Sequence, residues 1–122
     1  MKKQPEKAKA FIDLSLDVFV QLAKLYEEAG ADIITFHEMG GPADNISPTH
    51  FDEYVTPYIR AIIKDLKVPT VLNICGSTRI IIDRMVNVGC TAISIDETTP
   101  IKLAREGADK IKPGYPISGN VS

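Results

Sequence analysis

Thr70-Val71-Leu72-Asn73-Ile74 runs apolar and β-branched from Pro69 to the polar corner Cys75-Gly76. A short run of this kind between a proline and a glycine reads as a strand. Its near-continuous apolar character suits a parallel sheet with helices over at least one face. The same kind of run recurs downstream in Thr91-Ala92-Ile93-Ser94-Ile95-Asp96. Between the two, Ser77 or Thr78 can cap a helix through Ile80, Ile81, Met85 and Val86 that stops at Gly89. Upstream, Ser47-Pro48 supplies an N-cap and a first-turn proline for a stripe of Phe51, Tyr54, Val55, Tyr58, Ile59, Ile62 and Ile63. Pro57 lies inside that stripe and predicts a kink or a split into two pieces.

Farther out the pattern repeats. Asp32 to Phe36 reads as a strand followed by a loop from His37 to Ile46. Before it, Phe11, Leu14, Val18, Leu22, Leu25 and Tyr26 recur at helical spacing with Asp13, Asp17, Lys24 and Glu28 opposite, and Gly30 closes the helix as a left-handed cap. The apolar stripe is the face that helix is expected to bury. Toward the C-terminus, Pro100 to Ala108 has helical composition, and Tyr115 to Ser118 reads as a fourth strand despite Pro116.

Strands that alternate with helices imply a parallel sheet with right-handed crossovers, because parallel neighbours need a long connection. The class is α/β. A closed barrel takes eight units and about 250 residues. This chain has 122 residues and about four strands, so it is expected to be a partial TIM (β/α)8-type barrel, one domain over residues 1–122 and a fragment of a longer one. A small doubly wound domain is the alternative.

Composition narrows the function classes. With 44% apolar and 25% charged residues, the chain matches ordinary water-soluble globular proteins. A formal charge of -2 gives no broad positive field, so no nucleic-acid partner is expected. The basic start Met1-Lys2-Lys3 is followed by Asp13 and Asp17, which interrupt any signal-like apolar segment. No run is long and apolar enough for a spanning helix. The expected compartment is the cytoplasm, where Cys75 and Cys90 stay reduced.

Ligands of parallel α/β proteins sit at the carboxyl ends of the strands. Three polar clusters fall there: His37-Glu38, Asn73-Ile74-Cys75-Gly76 and Asp96-Glu97. Asn73 and Cys75 are two residues apart, which on a strand places both on one face. A thiolate is a strong zinc ligand and a neutral amide a poor one, so the pair is half a metal site. The competing reading of Cys75 is a buried apolar filler. His37 can serve as base, acid or metal ligand beside Glu38. The glycines of Met39-Gly40-Gly41-Pro42 permit close backbone approach to a ligand. The plainer alternative is a loop histidine with a solvated glutamate. Asp96 and Glu97 are either pocket acids or helix-start acids favoured by the macrodipole. Cys90, beside Gly89 at the opposite rim, reads as structural. Gly40-Gly41 lacks the spacing of a dinucleotide fingerprint.

These residues in this order resemble the uroporphyrinogen decarboxylase superfamily, and within it the cobalamin-dependent methyltransferases that pass methyl groups from methylcorrinoid proteins to coenzyme M. The resemblance is carried by Gly30-Ala31-Asp32, by Ile46-Ser47-Pro48 with Phe51 and Pro57-Tyr58, by Pro69 through Gly76, by Ile93 through Asp96, and by Ser118-Gly119-Asn120-Val121. It implies the C-terminal part of a TIM barrel. In that branch the motif resembling Asn73-Ile74-Cys75-Gly76 is histidine-x-cysteine-glycine and supplies two zinc ligands, with a further cysteine near the barrel's end. Here Cys75 matches and Asn73 stands in place of the histidine. The resemblance implies Cys75 as metal ligand, and zinc and a partner-borne corrinoid as cofactors. The implied partners are a corrinoid protein and a small thiol. His37, Glu38, Asn73 and Asp96 are expected to line the substrate pocket. A decarboxylase, or a non-catalytic module that pairs with another polypeptide, are the alternatives. Open sheet edges predict a homo-oligomer.

Overall fold

A computed structural model describes residues 4–42 and 44–121, so the basic start Met1-Lys2-Lys3 lies outside the described residues. The elements run α1 (Pro5–Glu28), β1 (Ile34–His37), α2 (Pro48–Tyr54), α3 (Thr56–Ile63), β2 (Thr70–Ile74), α4 (Ile82–Val88), β3 (Ala92–Ile95), α5 (Ile101–Asp109) and β4 (Ile117–Ser118). All four strands are parallel in one sheet of order β1-β2-β3-β4. The α/β class and the strand count read from the sequence both hold.

Local chemistry sets most boundaries. The Ser47 hydroxyl accepts from the His50 backbone N–H at 3.2 Å, starting α2. Pro57 follows the break at Val55 that separates α2 from α3. Gly30 and Gly89 take left-handed conformations after α1 and α4. Along β2 and β3 burial alternates: Leu72, Ile74, Ile93 and Ile95 are buried, while Val71, Asn73, Ala92 and Ser94 are half-exposed. The buried set joins Phe51, Ile59, Ile81, Met85, Ala104 and Ala108 in one core between sheet and helices. The other set forms an open face. Tyr115 closes the far rim: its hydroxyl donates to the Cys90 carbonyl at 2.6 Å, and burial pushes that phenol up to about 12. Cys90 is buried, as its structural reading required.

Two expectations are corrected. The stripe Phe11, Leu14, Val18, Leu22, Leu25 and Tyr26 faces outward, with Leu14 78% exposed. α1 instead packs through Leu16, Val20 and Ala23 against Ile34 and Ile62. Polar ties fix that rotation. Asp13 accepts from the Tyr58 hydroxyl at 2.7 Å, Lys24 lies 3.6 Å from Asp65, and Glu27 accepts from the Lys67 and Val68 N–H groups. Asp13 and Lys24, read as the solvent side of α1, therefore help hold it to the body. The second correction concerns α4, which starts at Ile82 with no side-chain cap. Thr78 is fully buried and bonded to Thr99, oxygen to oxygen at 2.8 Å, so its hydroxyl ties two loops together. Ile80 is left exposed.

Among the described residues no helix is long and apolar enough to cross a membrane.

Candidate functional site

The strand register brings polar residues from all four strands into one row. His37 lies opposite Asn73, Asn73 opposite Ser94, and Ser94 opposite Ser118. Cross-strand partners in register point to the same face, and this is the open one. His37 is therefore on β1 itself, not in the loop after it. Its Nδ1 lies 3.1 Å from Asn73 Oδ1. The Asn73 Nδ2 donates to Ser94 Oγ at 3.0 Å, and the exposed Cys75 thiol donates to the same Asn73 oxygen at 3.6 Å. Asn73 is thus the hub of the row. Ser94 was missed in the sequence, although it precedes Asp96 by two residues just as Asn73 precedes Cys75.

Asp96 does not project freely into this space. One carboxylate oxygen accepts from the Gly76 backbone N–H, and the other accepts from the backbone N–H and hydroxyl of Thr98. The Thr98 hydroxyl, followed by the Gly76 N–H, holds its carboxyl below the usual carboxylate range. The acid clamps the loops after β2 and β3 to each other. Gly76 carries a φ of 91°, which for an L side chain costs about 1–2 kcal/mol. Gly76→Ala is therefore expected to lower stability by that amount in urea denaturation and to move the Cys75 corner.

Glu38 behaves differently from the expectation that the glycine loop opens toward a ligand. Its Oε1 accepts from the Gly40 N–H at 3.1 Å, and a Cβ at Gly41 would collide with Glu38 Oε2 and crowd the Phe51 ring. The room the glycines leave is filled by Glu38's own carboxylate. Burial raises that carboxyl above its ordinary value, against the lowering effect of the Gly40 and Gly41 N–H groups. A groove of about 460 Å³ runs along the free side of β1, lined by Leu16, Phe19, Thr35, His37, Glu38 and Tyr58 among others. Its walls are chiefly apolar side chains of α1 and α3.

Zinc, which the resemblance implies, finds no complete ligand set in these side chains. Among the described residues no set of three or more His, Cys, Asp or Glu is placed to hold a metal ion. Two good donors, the His37 imidazole and the Cys75 thiol, flank one oxygen of Asn73. They fit half of a tetrahedral set. Glu97 lies on the exposed surface outside this hydrogen-bonded row.

The family described as uroporphyrinogen decarboxylase (URO-D) matches over residues 1–122. A methylated-thiol–coenzyme M methyltransferase of Methanosarcina mazei is 32% identical over 105 residues, which are 86% of this chain and 28% of that protein. A methylcobamide:CoM methyltransferase of Methanosarcina acetivorans is 33% identical over 103 residues, 82% of this chain and 30% of that one. A uroporphyrinogen decarboxylase of Picrophilus torridus is 26% identical over 105 residues, 86% of this chain and 31% of that one. Among solved structures, a methyltransferase from Methanosarcina mazei superposes with a TM-score of 0.84 at 25% identity, covering 99% of this chain and 35% of its own. The chain therefore spans about a third of the length of the proteins it matches.

Proposed function

Because this chain belongs to the uroporphyrinogen decarboxylase (URO-D) family, we propose that it forms part of a barrel that moves a methyl group from a methylated corrinoid protein to a thiol such as coenzyme M. The observation that supports this most is Cys75, an exposed thiol at the end of β2 on the open face, in a chain with methyltransferase relatives at 32% and 33% identity. The names of those relatives give coenzyme M as acceptor in both, with a methylcobamide as donor in one and a methylated thiol in the other. Zinc bound at Cys75 would hold the acceptor sulfur as a thiolate and raise its nucleophilicity.

The chain's own residues do the positioning. Asp96 fixes the Cys75-Gly76 corner through the Gly76 N–H. Asn73 sets the placement of His37, while Glu38 stiffens the loop at one end of the groove. His37, Glu38, Asn73 and Asp96 in this reading surround the acceptor. The remaining wall comes from the rest of the barrel, supplied by a longer polypeptide, a partner or a second copy. The outer sides of β1 and β4, unpaired among the described residues, and the outward apolar stripe of α1 support self-association. We place the reaction in the cytoplasm, where a cysteine stays reduced.

The purified protein is expected to bind zinc stoichiometrically and to lose it in Cys75→Ser, read by elemental analysis, with methyl transfer from methylcobalamin to coenzyme M lost alongside. A well-folded protein free of zinc would overturn the metal site. Porphyrinogen decarboxylation in place of methyl transfer would overturn the reaction.

A further inference from the structure

We propose that two copies of this chain close one eight-stranded barrel, β4 of each pairing in parallel with β1 of the other. This commits to one of the sources of the missing wall named above and rests on the part-barrel reading, not on the reaction. Eight parallel strands close a barrel of this type, and the sheet supplies four, all running one way. Its two outer edges, unpaired among the described residues, therefore differ and can meet head to tail. Two copies joined in this way share two identical seams about a twofold axis and leave no edge open.

The backbone makes these edges complementary. On β1 the Ile34 and Glu38 N–H groups donate to the Pro69 and Asn73 carbonyls, so in a parallel ladder Thr35 and His37 turn their own N–H and C=O groups to the free side. On β4 the Pro116 carbonyl accepts from the Ile93 N–H, which turns both polar groups of Ile117 outward. Ile117 of one copy then fits between the Thr35 carbonyl and the His37 N–H of the other, a register that sets it across from Phe36. Faces match in that register, because Phe36 lies opposite buried Leu72 and Ile117 opposite buried Ile93. Each edge also lacks what the other carries. Beside β1, α1 turns Phe19, Leu22 and Tyr26 into the groove of about 460 Å³, and among the described residues no strand lies in it. Beside β4 only α5 flanks the strand among the described residues, and Ile117 stays half-buried. Docking seats Ile117 of the partner subunit in the groove under α1. It also sets Ser118 of the partner subunit across from His37, so the polar row on the open face gains a residue from the second copy.

Sedimentation equilibrium of the 122-residue chain is expected to give twice its 13.4 kDa mass. Thr35→Pro and Leu22→Asp are each expected to yield a folded monomer at the same concentration, with circular dichroism reporting the fold. Proline is tolerated on an edge strand where its N–H would face solvent, yet its ring obstructs an adjoining strand, and Leu22 is already 42% exposed in one copy. Orientation is read by a short bifunctional thiol crosslinker in a Cys75→Ser background, the remaining Cys90 being buried. Thr35→Cys combined with Pro116→Cys should crosslink to a dimer, since the proposed register sets these positions opposite each other, and neither single variant should. A dimer that survives both Thr35→Pro and Leu22→Asp, or one that a single cysteine variant crosslinks, would overturn the pairing of β4 with β1. Open-ended assemblies would overturn the closure. A folded monomer of the unaltered chain would overturn the dimer while leaving the part-barrel and the proposed reaction standing, because no readout here depends on methyl transfer.

Discussion

Phe51→Ala is expected to lower the unfolding free energy by about 3–5 kcal/mol, the usual cost of truncating a fully buried phenylalanine. Phe51 is wholly inaccessible and sits in the main core with Val55, Ile59 and the buried residues of β2. Set against the roughly 5–15 kcal/mol of a typical domain, the loss brings the protein close to unfolding. The change has a second consequence. A Cβ on Gly41 would lie against the Phe51 ring, so the ring supports the loop that Glu38 braces. Equilibrium denaturation in urea should show a lower midpoint with an unchanged slope. A loss of unfolding free energy below about 1 kcal/mol would mean that the core collapses into the gap with little cost.

Asp96→Ala is the second large effect. It removes the acceptor for two backbone N–H groups and one hydroxyl at once. Hydrogen bonds to a charged group contribute about 1.5–3 kcal/mol each at best, and the half-exposed position reduces that, so a loss of about 1–3 kcal/mol is expected. The effect depends on pH in a definite direction. The folded-state carboxyl is held below its ordinary value by Thr98 and Gly76. Its contribution is therefore fully present above the unfolded value of about 3.9 and is lost as pH falls through the lower folded value. Unaltered protein and Asp96→Ala should differ most near neutral pH and converge below about pH 4. A constant gap between pH 7 and pH 3 would remove the charge from the explanation.

Much of this architecture was legible from residue types. Thr70 to Ile74 is a strand because a β-branched run framed by Pro69 and Gly76 has few other uses, and β2 has those bounds. Ser47, Pro57, Gly30 and Gly89 act through their own backbone chemistry, so their effects need no tertiary partner. The rotation of α1 was not legible. Two apolar stripes run along that helix, and the choice between them is made by partners far along the chain: Tyr58, Asp65 and the N–H groups of Lys67 and Val68. The clusters at His37, Asn73 and Asp96 were found by their place at strand ends. Their interactions were not, because a side chain's hydrogen-bonding partner depends on register. Thr78 and Asp96 both carry cap-like signatures, yet they bond across loops to Thr99 and Gly76.

Each strand pairs only with its neighbours in the chain, through contacts such as Ile34 with Thr70, Val71 with Ala92 and Ile93 with Ile117. No strand has to slip between two that are already joined. The entropic cost of closing a loop grows with the logarithm of its length, so the crossover from β1 to β2, the longest of the three, costs the most, by only about 0.6 kcal/mol per doubling of length. The sheet can therefore grow outward one crossover at a time from β2 and β3. Assembly of the His37-Asn73-Ser94 row would then be a late event, waiting on β1 and with it on the docking of the long first helix.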